Sequence, residues 1–190
     1  MSSVIVGVDE AGRGPLAGPV TVAAVILKNR IEGLNDSKKL SETKRFKLEP
    51  LIIESALAYA IVHISVETIE DINILQASLL GMQQAVQKLN CHFDEILVDG
   101  NKCPDFSKPA QAIIGGDGKI AEISAASILA KNARDRLMCE IDKEFPKYGF
   151  AKHKGYGTKY HMQQLQQYGP CLHHRKTYAP IQKLLQMEIF

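Results

Sequence analysis

The chain has 190 residues, of which 45% are hydrophobic and 23% charged, enough for one domain with a sizeable core. Its formal net charge of +2 excludes a global electrostatic argument for nucleic-acid binding, so any such surface has to come from local clusters of lysine and arginine. The four cysteines (Cys91, Cys103, Cys139, Cys171) form no C-x-x-C pair, which fits reduced thiols in a cytoplasmic protein better than a disulfide frame or zinc ribbon; no export signal and no run of ~18 apolar residues is seen, so no membrane span is expected.

Val4–Val8 is an apolar run that reads as a buried strand ending in the adjacent acids Asp9 and Glu10, followed by Ala11-Gly12-Arg13-Gly14-Pro15. Carboxylates at a strand's mouth are placed to meet a cation, the glycines let backbone N–H groups approach a ligand, and Arg13 offers a planar fork suited to phosphate. Pro19–Leu27 and Ala56–Ser65 read as two further strands, with short connections that favour antiparallel neighbours. Between them Glu42–Glu54 reads as a helix with Ser41 as N-cap and with Pro50 expected to kink or interrupt it. Ile74, Leu75, Leu79, Met82, Ala85, Val86 and Leu89 recur at helical spacing, and Glu95–Val98 is a short strand ending in Asp99. Ala112–Ile114 is a strand stopping at Gly115-Gly116-Asp117, and Ile120–Phe145 carries the longest helical pattern. From Lys147 to Tyr178 the chain is more basic and richer in tyrosine, with a helix over Thr158–Tyr168, before an apolar end over Ile181–Phe190.

Asp9, Glu10, Asp99 and Asp117 thus each close a strand, where the edges of one sheet could bring them together. Bare carboxylates within ~4 Å repel by about 4 kcal/mol per pair at an effective dielectric near 20, so such a cluster makes sense around divalent metal. All-oxygen ligation suits Mg²⁺ or Mn²⁺ rather than zinc, and two ions ~3.5–4 Å apart can activate a water and stabilise the leaving oxygen of a phosphodiester.

Several blocks now carry a resemblance. Gly7-Val8-Asp9-Glu10-Ala11-Gly12-Arg13-Gly14-Pro15, Asn35-Asp36-Ser37-Lys38-Lys39-Leu40, Leu97-Val98-Asp99-Gly100-Asn101, Gly116-Asp117-Gly118-Lys119, Ser124-Ala125-Ala126-Ser127 and His153-Lys154-Gly155-Tyr156-Gly157-Thr158 resemble bacterial ribonuclease HII, in unbroken order from about residue 4 to Pro180. The Gly-Arg-Gly form resembles this type rather than ribonuclease HIII. The resemblance implies an α/β, ribonuclease H-like fold: a mixed central sheet flanked by helices over residues 1–145, with a small helical C-terminal subdomain over 146–190, the two forming one compact unit. It implies metal-dependent cleavage of the RNA strand of RNA/DNA hybrids and nicking 5′ of ribonucleotides in duplex DNA, leaving 3′-hydroxyl and 5′-phosphate ends. By residue it implies that Asp9, Glu10, Asp99 and Asp117 bind two Mg²⁺ or Mn²⁺ ions, that Gly12, Arg13 and Gly14 sense the 2′-hydroxyl and its phosphates, and that Tyr156 stacks on the sugar beyond the RNA-to-DNA junction. Such roles agree with what distinguishes RNA from DNA locally and with aromatic rings as sugar and base platforms. Lys38 follows by motif match, and Lys39, Ser124, Ser127, Lys131, Lys152 and Lys154 are candidates for salt-sensitive backbone contacts.

Plainer readings compete with these. Gly12-x-Gly14-x-x-x-Gly18 misses the dinucleotide spacing by one residue, and Gly115–Lys119 lacks the spacing and the Ser or Thr of a P-loop. Lys152, Lys154, Lys159, Arg175 and Lys176 taken alone read as a solvated face. His153, His161, His173, His174 and Cys171 lack paired ligand spacing, so they read as hydrogen-bonding or exposed groups, with no zinc. The stripe around Ile123–Leu137 is core, with Lys131 and Arg134 at its edges. Gln186-Met187-Glu188-Ile189-Phe190 resembles the peptide by which bacterial replication and repair proteins hook the sliding clamp, against the alternative of a terminal helix docked on its own domain. Rival functions are another ribonuclease H-like nuclease and a catalytically silent RNA/DNA-binding module; a monomer is expected.

Overall fold

The computed structural model describes residues 3–29, 31–34 and 40–187. Lys38, Lys39 and the end of the chain from Glu188 to Phe190 lie outside the described residues. Five strands form one mixed sheet in the order β3-β2-β1-β4-β5, comprising β1 (Ile5–Ala11), β2 (Val20–Leu27), β3 (Ala56–Ile64), β4 (Glu95–Asp99) and β5 (Ala110–Ile113). The β1–β2 and β2–β3 pairs are antiparallel, the first across a short glycine-rich loop and the second across a long connection that contains a helix over Glu42–Ser55, whereas β1–β4 and β4–β5 are parallel. This is the mixed, helix-flanked architecture expected of a ribonuclease H-like fold.

The sheet is covered on both faces. Val6 and Val8 of β1 pack with Met82, Ala85 and Val86 of α2 (Val66–Gln87). On the other face Ala11, Ala23 and Val25 meet Ala125, Ala126, Ile128 and Leu129 of α3 (Ala121–Glu144) and Ile52 of α1 (Glu42–Ser55). Strand alternation therefore puts Gly7, Asp9 and Ala11 together on the α3 face. Gly7 sets how near α3 can come: a Cβ there would stand 2.1 Å from the carbonyl carbon of Glu122. The first turn of α3 thus lies directly on the strand that carries Asp9.

β1 does not end before the acids, because β2 continues to pair with it through Asp9↔Ala23, Glu10↔Val22 and Ala11↔Thr21. Ser41 caps α1 as expected, accepting the Lys44 N–H at 3.4 Å, but the helix runs through Pro50 uninterrupted to Ser55. The helical pattern starting at Ile74 marks only the second part of α2. Its first part is capped by Ser65, and the two meet at Asn73 (φ 66, ψ 163), whose Oδ1 accepts the N–H groups of Leu75 and Gln76. An asparagine tolerates this left-handed φ and its side chain replaces the lost helical acceptors. The C-terminal part holds α4 (Phe150–His153), α5 (Lys159–Tyr168) and α6 (Ala179–Met187). Among the described residues no helix is long and apolar enough to cross a membrane.

Gly7→Ala should lower the unfolding free energy by about 1–3 kcal/mol, the usual cost of overpacking, because the clash is with backbone. Urea denaturation checks this; an unchanged midpoint would mean that α3 is not held against β1 at this point.

Candidate active site

The acids are placed by sheet register. Pairing of β1 with β4 runs from Ile5↔Glu95 to Val8↔Val98, so Asp9 and Asp99 are the next residues of two neighbouring parallel strands. Asp9 is 2% exposed; its Oδ1 accepts the Glu10 N–H at 2.7 Å, while Oδ2 is buried with no hydrogen-bond partner. Burial, then the charges of Glu10 and Asp99, raise its carboxyl well above the ordinary aspartate value, outweighing the Ser127 hydroxyl and the Glu10 N–H. Asp117 is buried in a 3₁₀ turn, Gly116–Gly118, tied to Asp99 through the neighbouring Gly116 N–H, which donates to Asp99 Oδ1 at 2.7 Å. Among the described residues no group of three or more histidine, cysteine, aspartate or glutamate side chains forms a metal-holding cluster as it stands. The donor set at Asp9, Glu10 and Asp99 is nevertheless all oxygen, and a buried carboxylate oxygen without a donor, beside two further acids, fits a hard divalent cation.

The loop after β1 is built on two buried arginines, Arg134 and Arg175, where the sequence pattern suggests a helix-edge residue and a solvated cation. Arg175 is fully buried, not solvated. It donates to the carbonyls of Gly12 (2.6 Å), Arg13 (2.9 Å) and Gly18 (2.9 and 2.8 Å), and the Tyr178 hydroxyl adds a bond to the Arg13 carbonyl at 2.7 Å. Arg134 of α3 donates to the carbonyls of Pro19, Ala17 and Lys154 at 3.0–3.1 Å. Burial, and then the nearby charge of Arg175, bring Arg134 down to about 10, so it remains a cation at neutral pH. Gly12 has to be glycine, since its φ is +99 and a Cβ would stand 2.0 Å from Arg134 Nε. In a trans peptide the C=O and the following N–H point in opposite directions. With the Gly12 and Arg13 carbonyls turned to Arg175, the N–H groups of Arg13 and Gly14 are directed away from it.

One cavity of about 360 Å³ is lined by Asp9, Glu10, Asp99, Gly12, Arg13, Gly14, Ser127, Lys131, Tyr156 and Arg45. Arg13 is paired with Glu10 at 3.3 Å, and the half-exposed ring of Tyr156 comes 3.7 Å from where a Gly14 Cβ would be. Arg45 of α1 is a wall residue that the sequence did not suggest. It pairs with buried Asp135 at 3.1 Å, which also takes Lys131, so one carboxylate fixes two cations facing the acids. The i, i+4 spacing of Lys131 and Asp135 was the available signal for this arrangement. Asp117 is not part of the cavity wall. Ser124 is buried with its hydroxyl bonded to the Leu34 carbonyl, and half-buried Lys154 folds back onto Cys139 and the Ala151 carbonyl, so in this structure both are engaged by the protein itself. Lys152 is exposed.

The sequence model of the family Ribonuclease HII matches residues 6–180. The chain belongs to the ribonuclease HII family. A ribonuclease HII from Francisella tularensis subsp. novicida is 55% identical over 184 residues, covering 96% of this chain and all of that protein. Among solved structures, ribonuclease H2 from Pyrococcus horikoshii OT3 superposes with a TM-score of 0.80 at 26% identity, covering 96% of this chain and 97% of the other. The ribonuclease HII of a PCNA:RNase HII complex from Archaeoglobus fulgidus has a TM-score of 0.74 at 22% identity, covering 92% and 95% of the two chains, a likeness of fold. Ribonuclease HII membership makes the chain an enzyme, an endonuclease of the ribonuclease H type.

Arg175→Lys should cost roughly 2–4 kcal/mol of stability, because an ammonium cannot span three carbonyls and those left buried without a donor cost about 1–3 kcal/mol each. Chemical denaturation reads the loss; a wild-type midpoint would show that the loop is held by other contacts.

Proposed function

We propose that this chain cleaves the RNA strand of RNA/DNA hybrids and nicks 5′ of ribonucleotides embedded in duplex DNA, leaving 3′-hydroxyl and 5′-phosphate ends, in a reaction that depends on divalent metal. The observation that carries the reading is the placement of Asp9 and Asp99 side by side at the end of the β1–β4 pair, in the same cavity as Gly12–Gly14 and Tyr156. Asp9, Glu10, Asp99 and Asp117 would hold Mg²⁺ or Mn²⁺, two ions during turnover, and this bound charge supplies Lewis-acid stabilisation at the phosphodiester.

The chain's own residues do the rest. The Arg13 and Gly14 N–H groups offer fixed donors to a 2′-hydroxyl and its phosphates, and Arg13 adds a fork that is already held at the site by Glu10. Tyr156, with 46% of its surface exposed, offers a face for the sugar beyond the RNA-to-DNA junction. Lys131 and Arg45 are held in place by Asp135 to meet backbone phosphate, with Ser127 deeper and Lys152 further out. Lys38 and Lys39 join the same role from outside the described residues. A binding module without chemistry is disfavoured by the acids themselves: burying Asp9 against Glu10 and Asp99 costs stability unless a cation is to be received there.

For a duplex containing one ribonucleotide, a single nick is expected with Mg²⁺ or Mn²⁺ and none with chelator; absence of the metal-dependent nick ends the proposal. Asp117→Asn should retain hybrid binding while losing turnover by about 10²-fold or more. Either metal should also raise the melting temperature of the wild-type chain by mass action, and do so less for Asp9→Asn.

A partner reading accompanies the enzymatic one. The Archaeoglobus relative was solved with PCNA, and Gln186-Met187-Glu188-Ile189-Phe190 begins in the last turn of α6, whose buried anchor is Ile181, with Gln186 exposed. In this reading the monomeric enzyme is carried by a sliding clamp. Deleting the five residues should abolish clamp pull-down while leaving cleavage of free oligonucleotides intact; undiminished pull-down removes the partner.

A further inference from the structure

Behind Tyr156 lies a pair of fully buried histidines, His161 and His174, whose hydrogen bonds admit one proton order. His174 Nδ1 accepts the Cys171 N–H at 2.9 Å, so the proton of the neutral ring is on Nε2. That Nε2 faces His161 Nε2 at 3.0 Å, which must therefore accept, leaving the His161 proton on Nδ1. There it points at the Tyr156 carbonyl, 2.9 Å away. The chain runs Cys171 N–H to His174, His174 to His161, His161 to Tyr156, each link fixing the tautomer of the next.

The chain joins the segment that holds the Gly12–Gly14 loop to Tyr156, and both loop and ring line the cavity. At one end, the segment beside His174 grips the loop: the His173 carbonyl accepts the Gly18 N–H at 2.8 Å, His174 bridges Ala17, and Arg175 holds Gly12 and Arg13. At the other end is the backbone of Tyr156. Burial holds both rings far below the ordinary histidine value, at about 4 for His161 and about 3 for His174, so the neutral order persists at neutral pH. A second proton on either ring would set donor against donor.

We propose that His161 and His174 are positioning residues for ribonucleotide recognition, their tautomer-locked chain holding Tyr156 in register with the Gly12–Gly14 loop. The inference rests on the function proposed above for those two elements. His161 touches no substrate in this scheme; it acts through Tyr156.

The test has a spectroscopic and an energetic arm. Long-range ¹H–¹⁵N spectra of the histidine rings at neutral pH should show His161 protonated on Nδ1 and His174 on Nε2; the reverse assignment for His161, or a doubly protonated ring, overturns the proposal. In the second arm, binding of a fluorescent DNA duplex with one ribonucleotide is measured in chelator beside an all-DNA duplex. His161→Phe should weaken the ribonucleotide duplex about tenfold, the scale of coupling between neighbouring groups. His161→Asn, which keeps a donor where Nδ1 stood, should recover most of it. In a Tyr156→Ala background His161→Phe should add nothing, whereas additive losses mean a general structural role and overturn the proposal. Should His161→Phe not fold, His174→Asn keeps the acceptor for Cys171 but cuts the link to His161, and has to weaken binding in the same Tyr156-dependent way. Because binding needs no turnover, a wild-type chain that prefers the ribonucleotide duplex yet fails to nick it removes the nuclease reading alone; loss of that preference removes both.

Discussion

Two guanidinium groups buried against carbonyl oxygens hold the ligand-facing part of this molecule together. A buried cation is costly unless its donors are met, and here Arg134 and Arg175 are met by the backbone of the chain segment between β1 and β2. Exchanging water for peptide carbonyls in this way removes the freedom of a glycine-rich loop without placing any side chain in the cavity. It also makes the loop depend on the far C-terminal region, because Arg175 comes from there and Arg134 reaches the Lys154 carbonyl as well. Sites on loops are ordinarily less exact than sites on strands; this loop is fixed by charge-assisted bonds from two sides.

The acids draw on a different source of rigidity. Asp9 and Asp99 stand on adjacent strands of a sheet covered on both faces, and Asp117 is brought up by a short turn locked to Asp99 through a backbone N–H. Opposite them, Asp135 takes the reverse part, a buried carboxylate between Arg45 and Lys131. Burial pulls Lys131 down from the ordinary lysine value, while its bond to Asp135 acts against this. The cavity thus has an anionic wall and a cationic wall, each built from groups whose charge is partly compensated within the fold. Such walls have the charge complementarity that a phosphodiester accompanied by cations would require.

What could be read in advance follows from which forces are local. The strands, the long helix α3 and the Ser41 cap were visible because apolar periodicity and capping chemistry act over a few residues. The four acids were visible from their places after apolar runs, although β1 continues through Asp9 and Glu10, which only the distant partner strand β2 can dictate. Register between β1 and β4 is a contact across roughly 90 positions of sequence, and nothing near Val98 announces it. Arg175 is hidden for the same reason: among Lys152, Lys154, Lys159 and Lys176 it looks like one more surface cation, and its burial is decided by carbonyls that come from Gly12, Arg13 and Gly18. The histidines lacked ligand spacing because they are bonded to one another and to backbone, an arrangement without a sequence period.

The β1–β4 register sets how finely this site can be tuned. Neighbouring strands sit ~4.8 Å apart whatever their side chains, so the gap between the two aspartates is a property of the peptide lattice. Drift at the periphery of the protein leaves that gap alone. A slip by one residue, by contrast, would swing the carboxylate of Asp9 into the apolar layer beneath α2. Changes in the loop or in the aromatic ring can therefore reshape the cavity while the spacing of the carboxylates stays set by the sheet.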